Sequence, residues 1–103
     1  MFGLEEKEIG LLQSLFIHFP EIEKVILYGS RAKGNYKPFS DVDISLVGES
    51  ITHNLRNHID NAIEELSLPY FFDINIYHKL HNPNLIDHIN RRGVVLYEAD
   101  REH

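Results

Sequence analysis

Asp41 and Asp43 stand two residues apart in a stretch that alternates cleanly. From Asp41 to Val47, residues Val42, Ile44 and Leu46 share one face and Asp41, Asp43 and Ser45 the other, because strand side chains alternate with period two. The two carboxylates then emerge on the same side, roughly 7 Å apart at about 3.3 Å per residue. A third acid, Asp73, interrupts the apolar and aromatic run from Tyr70 to Tyr77. Three carboxylates converging on one spot repel each other unless a cation neutralises them. Hard divalent ions with oxygen ligands do this, and two of them about 3.5–4 Å apart suit phosphoryl-type transfer. An Asp-x-Asp by itself is more often a turn or edge-strand pair, so the residues before it decide its meaning.

Those residues are Tyr28-Gly29-Ser30, a turn that leads from an apolar run into helix-tolerant residues. A helix start presents free backbone N–H groups to a phosphate, glycine permits close approach, and the Ser30 hydroxyl adds a donor. Gly29 and Gly34 also fit the first half of a P-loop. Asn35-Tyr36 stands where Lys-Ser or Lys-Thr has to follow, and that reading fails.

Positioning these groups requires a framework, and the hydrophobic pattern supplies one. Leu4, Leu11, Leu12, Leu15, Phe16 and Phe19 mark an amphipathic helix ending before Pro20. Val25 to Tyr28 reads as a buried strand, and Ser30 to Gly34 as one or two helical turns with Ser30 at the N-cap. Ile51, Leu55, Ile59, Ala62, Ile63 and Leu66 trace a second amphipathic helix, ended near Pro69. Phe71 to Tyr77 alternates as a strand. Asn82-Pro83 opens a short helix that stops at Gly93, and Val94 to Tyr97 makes a last strand. The expected fold class is α+β: a small mixed sheet with helices packed on one face and the acidic site on the other.

The chain has 103 residues, so one domain spanning 1–103 is expected. No apolar run exceeds four residues, which excludes a membrane-spanning helix, and the glutamate-rich start is unlike a secretory leader. Absence of cysteine removes disulfides and thiolate chemistry and suits a cytoplasmic protein. A net charge of −6 argues against nucleic acid as the main partner. Within that acidic chain, residues 29–43 hold Arg31, Lys33 and Lys37, a local basic stretch that hints at an anionic ligand.

Taken together, Gly29-Ser30-Arg31-Ala32-Lys33-Gly34, five further residues, and Ser40-Asp41-Val42-Asp43-Ile44 resemble the signature of the nucleotidyltransferase superfamily that includes DNA polymerase beta. Size and pattern look most like its minimal (MNT-type) branch, and the segment from Ile89 to Glu98 is similar to that branch's closing segment. The resemblance implies Mg²⁺-dependent transfer of a nucleoside monophosphate, AMP from ATP, to a hydroxyl. It implies that Asp41, Asp43 and Asp73 hold two magnesium ions, with manganese as a substitute, and that Asp73 helps activate the hydroxyl. Gly29, Ser30, Arg31 and Ser40 are the implied nucleotide-binding residues. The resemblance also implies a partner, the all-helical (HEPN-type) half of a toxin–antitoxin pair, with a homo-oligomer as the other assembly. The alternatives are a non-catalytic module that neutralises a helical partner by contact, and a small-molecule nucleotidyltransferase.

Other candidates read more plainly. His53 and His58, and His78 and His81, lack a third ligand at zinc-like spacing and are expected on the surface. Tyr70, Phe71 and Phe72 suit packing, whereas Tyr36 and Phe39, on the loop leading to the acids, suit an exposed binding role.

Overall fold

The structure of the protein, a computed structural model, describes residues 1–38 and 40–100. The expected succession of elements is present: α1 (Glu6–Phe16), β1 (Lys24–Tyr28), α2 (Ser30–Lys33), β2 (Val42–Val47), α3 (His53–Glu65), β3 (Phe72–Ile76), α4 (Pro83–Arg92) and β4 (Val94–Glu98). A 3-10 turn at Tyr77–Lys79, too short to leave a periodic signal, links β3 to α4. The strands form one mixed sheet in the order β3-β2-β1-β4. β1 runs antiparallel to β2 and to β4, and β2 runs parallel to β3. A parallel pair needs a crossover, and α3 provides it.

Period-two alternation sends Val25 and Leu27 of β1, Val42, Ile44 and Leu46 of β2, and Ile74 and Ile76 of β3 to one face. There they meet Leu12 and Phe16 of α1 and Ile59 and Ile63 of α3 in a single buried cluster. The α+β class is as expected, with one difference in layering. α4 does not join α1 and α3. A side chain on Gly93, just after α4, would run into Ile26 as well as the backbone at Ile89. Ile26 lies between Val25 and Leu27 and so points to the opposite face. Ile89, the one fully buried residue of α4, is outside the main cluster. α4 therefore covers part of the face that carries Asp43. With so short an apolar stripe, it needs only the small patch around Ile26 to seat it.

α4 is held at its start by Asn82, whose side chain accepts hydrogen bonds from the N–H groups of Asn84 and Leu85 at 2.9 and 3.3 Å. Pro83 follows in the first turn, where its missing N–H costs nothing. Replacing this cap in Asn82→Ala is expected to lower the unfolding free energy by about 1 kcal/mol, measured by chemical denaturation.

Candidate active site

The register across the sheet places three functional side chains in one row. Tyr28 of β1 pairs with Asp43 of β2, and Asp43 pairs with Asp73 of β3. Asp43 is half-buried and Asp73 exposed, and Asp41 is exposed just before β2 begins. Burial, then the charges of Asp73 and Asp41, raise the Asp43 carboxyl above its ordinary value, with His88 opposing the rise. Burial, with Asp73 and Asp43 beside it, pushes the Tyr28 phenol up to about 12. It stays protonated at neutral pH.

The expected closure of Asp41, Asp43 and Asp73 around one ion is not present in the side-chain positions. Among the described residues no three His, Cys, Asp or Glu side chains are grouped to hold a metal. Asp73 and Asp41 are exposed to solvent. The donor set still fits a hard divalent cation. All three groups offer carboxylate oxygens, and a cation would relieve the repulsion from Asp73 and Asp41 that adds to burial in raising Asp43.

Gly29 adjoins this row. It caps the N-terminus of α2 at φ +80°, a conformation that L side chains rarely adopt. A β-carbon here would also collide with the Asp43 carboxylate. Only glycine lets the turn and the acid approach this closely. Ser30, expected as the cap, is instead the first residue of α2. The first hydrogen bond within α2 runs from Lys33 N–H to the Gly29 carbonyl, so the N–H groups of Ser30, Arg31 and Ala32 precede the helical ladder.

Arg31 requires a correction. Expected to contact the nucleotide, it is only 1% exposed. Its Nε and Nη2 donate to the Ser40 carbonyl at 3.1 and 2.8 Å, Nη2 also to the Pro38 carbonyl at 3.3 Å, and Nη1 to the Phe2 carbonyl at 2.8 Å. The rings of Tyr36 and Tyr70 lie 5.3 and 4.8 Å from the guanidinium carbon. The loop after α2 folds back with its carbonyls turned inward, and a five-donor guanidinium is what those carbonyls need. Arg31 is a clamp on the loop that delivers the acids. Tyr36, expected to be an exposed binding residue, packs on that clamp. The Ser40 hydroxyl accepts from the Lys37 N–H at 2.8 Å, closing the same loop. Lys33 and Lys37 are exposed. Phe39 lies outside the described residues.

The sequence reading missed three contributors. Asn75, two residues beyond Asp73, donates from Nδ2 to the Tyr28 hydroxyl at 2.7 Å. Ser45, fully buried, pairs with Asn75 across β2 and β3. The Ser45 hydroxyl and the Asn75 carbonyl oxygen are the buried side-chain polar atoms without a partner among the described residues. His88 of α4 accepts from the Gly29 N–H at 3.3 Å and stands edge-on to the Tyr28 ring, with centroids 6.1 Å apart. No periodic or motif signal marks His88, because its role depends on where α4 crosses the sheet. His53, His58, His78 and His81 are exposed, as expected.

Comparison with known proteins agrees with this geometry. A family model described as Polymerase beta, Nucleotidyltransferase matches residues 11–102. The chain belongs to that family and is a nucleotidyltransferase, so the resemblance carried by Gly29 to Asp43 is borne out. It is 36% identical over 77 residues to a provisionally named protein adenylyltransferase of Methanocaldococcus jannaschii, covering 72% of this chain and 78% of that one. Among solved structures, a chain of a toxin–antitoxin complex with AMP-PNP matches with a TM-score of 0.71 at 21% identity, over 93% of this chain and 75% of its own length. A chain from a complex of tri-AMPylated Shewanella oneidensis HEPN toxin with MNT antitoxin matches with a TM-score of 0.68 at 14% identity, over 93% and 74%. These two likenesses are of fold. No described helix is long and apolar enough to cross a membrane.

Two outcomes follow from the site's physics. Arg31→Lys is expected to lower the unfolding free energy by about 2–4 kcal/mol in denaturation experiments. A lysine cannot serve three carbonyls in the guanidinium's geometry, and each buried acceptor left unpaired costs about 1–3 kcal/mol. Asp43→Asn is expected to raise the melting temperature of the metal-free protein at pH 7. Because the Asp43 pKa is raised on folding, the folded state binds its proton more readily than the unfolded state does. Stability of the wild type therefore falls as pH rises from the ordinary carboxylate value of 3.8 through the raised folded value. The advantage of Asp43→Asn should shrink as pH is lowered through that window, read by thermal melts at several pH values.

Proposed function

We propose that this chain transfers AMP from ATP to a hydroxyl on a partner protein, an all-helical chain of HEPN type, as the antitoxin of a two-component module in the cytoplasm. The observation that carries this reading is the seating of the Asp43 carboxylate against Gly29. It brings Asp43, the central acid of the row, into contact with the glycine-serine turn that would take the triphosphate. The names of the relatives support the choice of a protein acceptor and of ATP.

In the reaction the acceptor hydroxyl oxygen attacks the α-phosphorus, the bond from that phosphorus to the β-phosphate oxygen breaks, and pyrophosphate leaves. Asp41, Asp43 and Asp73 would hold two Mg²⁺ ions, or Mn²⁺, which supply neutralisation of the phosphate charge when bound. Gly29 leaves room for the triphosphate to approach, and Ser30 receives it through its backbone N–H and hydroxyl. Asp73, exposed at the end of the row, accepts the proton of the attacking hydroxyl. Ser40 contributes by closing the loop that leads into Asp41. Most of the rate in such a transfer comes from positioning and charge stabilisation, and a rigid sheet supplies the first of these.

The test is incubation with ATP labelled at the α-phosphate, Mg²⁺ and an all-helical HEPN-type protein as acceptor. Label on the partner supports the reading. Asp43→Ala should cut its appearance by at least ~10²-fold, the scale for losing one group that stabilises transition-state charge. A tight, inactivating complex without label would instead favour neutralisation by contact.

A further inference from the structure

His88 is bonded to the turn at the centre of the proposed site, yet it comes from α4, the helix on the far side of the sequence from that turn. Its Nε2 accepts from the Gly29 N–H at 3.3 Å, which requires a neutral ring carrying its proton on Nδ1. Gly29 also meets the Asp43 carboxylate, closely enough to exclude a β-carbon. Gly29 thus contacts both an imidazole and a carboxylate. The ring of Tyr28, the residue before it, stands edge-on to the same imidazole, and the Tyr28 hydroxyl is fixed by Asn75.

These contacts determine the plane of the Tyr28–Gly29 peptide. Glycine at φ +80° has no side chain to hold its conformation, and its backbone is the most permissive of any residue. Something outside the turn must select one orientation. The His88 acceptor does so from above the sheet, and the direction of the next N–H groups, at Ser30 to Ala32, follows from it.

Resting on the nucleotidyltransferase reading above, we infer that His88 is a positioning residue of the nucleotide site: it holds the Gly29 peptide so that turn and Asp43 are presented together. It reaches the nucleotide only through Gly29. Losing one net hydrogen bond of this kind corresponds to a loss of about threefold to tenfold in affinity.

The experiment uses three variants and two readouts, in the full chain. His88→Phe keeps a ring against Tyr28 but has no acceptor, His88→Gln restores an acceptor, and His88→Asn is too short to reach Gly29 and replaces His88→Phe if that variant does not fold. Binding of AMP-PNP with Mg²⁺ is measured by calorimetry, and the Gly29 amide is followed by NMR shift and hydrogen exchange. The expected result is a displaced, faster-exchanging Gly29 amide and about threefold to tenfold weaker AMP-PNP binding in His88→Phe. Both should return towards wild type in His88→Gln.

A merely structural histidine would change the melting temperature and leave the affinity alone. The inference is overturned if His88→Phe binds AMP-PNP within twofold of wild type, if the Gly29 amide does not move, or if His88→Gln is as weak as His88→Phe. A wild-type protein with no measurable AMP-PNP binding would overturn the nucleotide-site reading itself, and is told apart from the other outcomes by the wild-type titration alone.

Discussion

The carboxylate of Asp43 lies against the α-carbon of Gly29, and most of the molecule serves to keep it there. β1 must run antiparallel to β2 in the register that pairs Tyr28 with Asp43, so that the end of one strand meets the acid at the start of the other. The hydrophobic cluster beneath locks that register, because a slip of one residue would turn Ile44 and Leu46 out of the core and bury Asp43 and Ser45 in it. Core packing and site geometry are therefore one constraint seen from the two faces of the same strands.

A second constraint acts on the loop between α2 and β2. The carbonyls of Pro38 and Ser40 in this loop are gathered by Arg31, which lies between two tyrosine rings. The clamp also takes the Phe2 carbonyl, so the segment before α1 is tied to the loop that leads into Asp41. A basic residue beside a glycine-serine turn invites a ligand role. Here its charge is taken up by backbone carbonyls inside the protein.

The site also sits at an electrostatic disadvantage. Asp43 is partly desolvated beside Asp73 and Asp41, and the Tyr28 hydroxyl is enclosed near two of those charges. Each of these groups would be more comfortable elsewhere, and residues kept in such positions are where chemistry is usually found. His88 occupies the Gly29 amide and Gly29 meets the Asp43 carboxylate, which couples α4 to the acids through one short chain of contacts.

Much of this was legible in the residues alone. Alternation in Asp41 to Val47 and in Phe71 to Tyr77 assigns Asp43 and Asp73 to a polar strand face, since a strand has only two faces. The spacing from Gly29 to Asp43 identifies the family, because that motif is local in the chain. What lay beyond the sequence depended on contacts between distant segments. Arg31 reads as a ligand until the carbonyls of Phe2, Pro38 and Ser40 are seen around it. Tyr28 reads as core until the antiparallel register sets it beside Asp43. His88 has no signature, since nothing in ten residues of helix says which face of the sheet the helix will cover. Local spacing decides which side chains share a face. Which of them meet across the fold is decided by the packing of elements far apart in sequence.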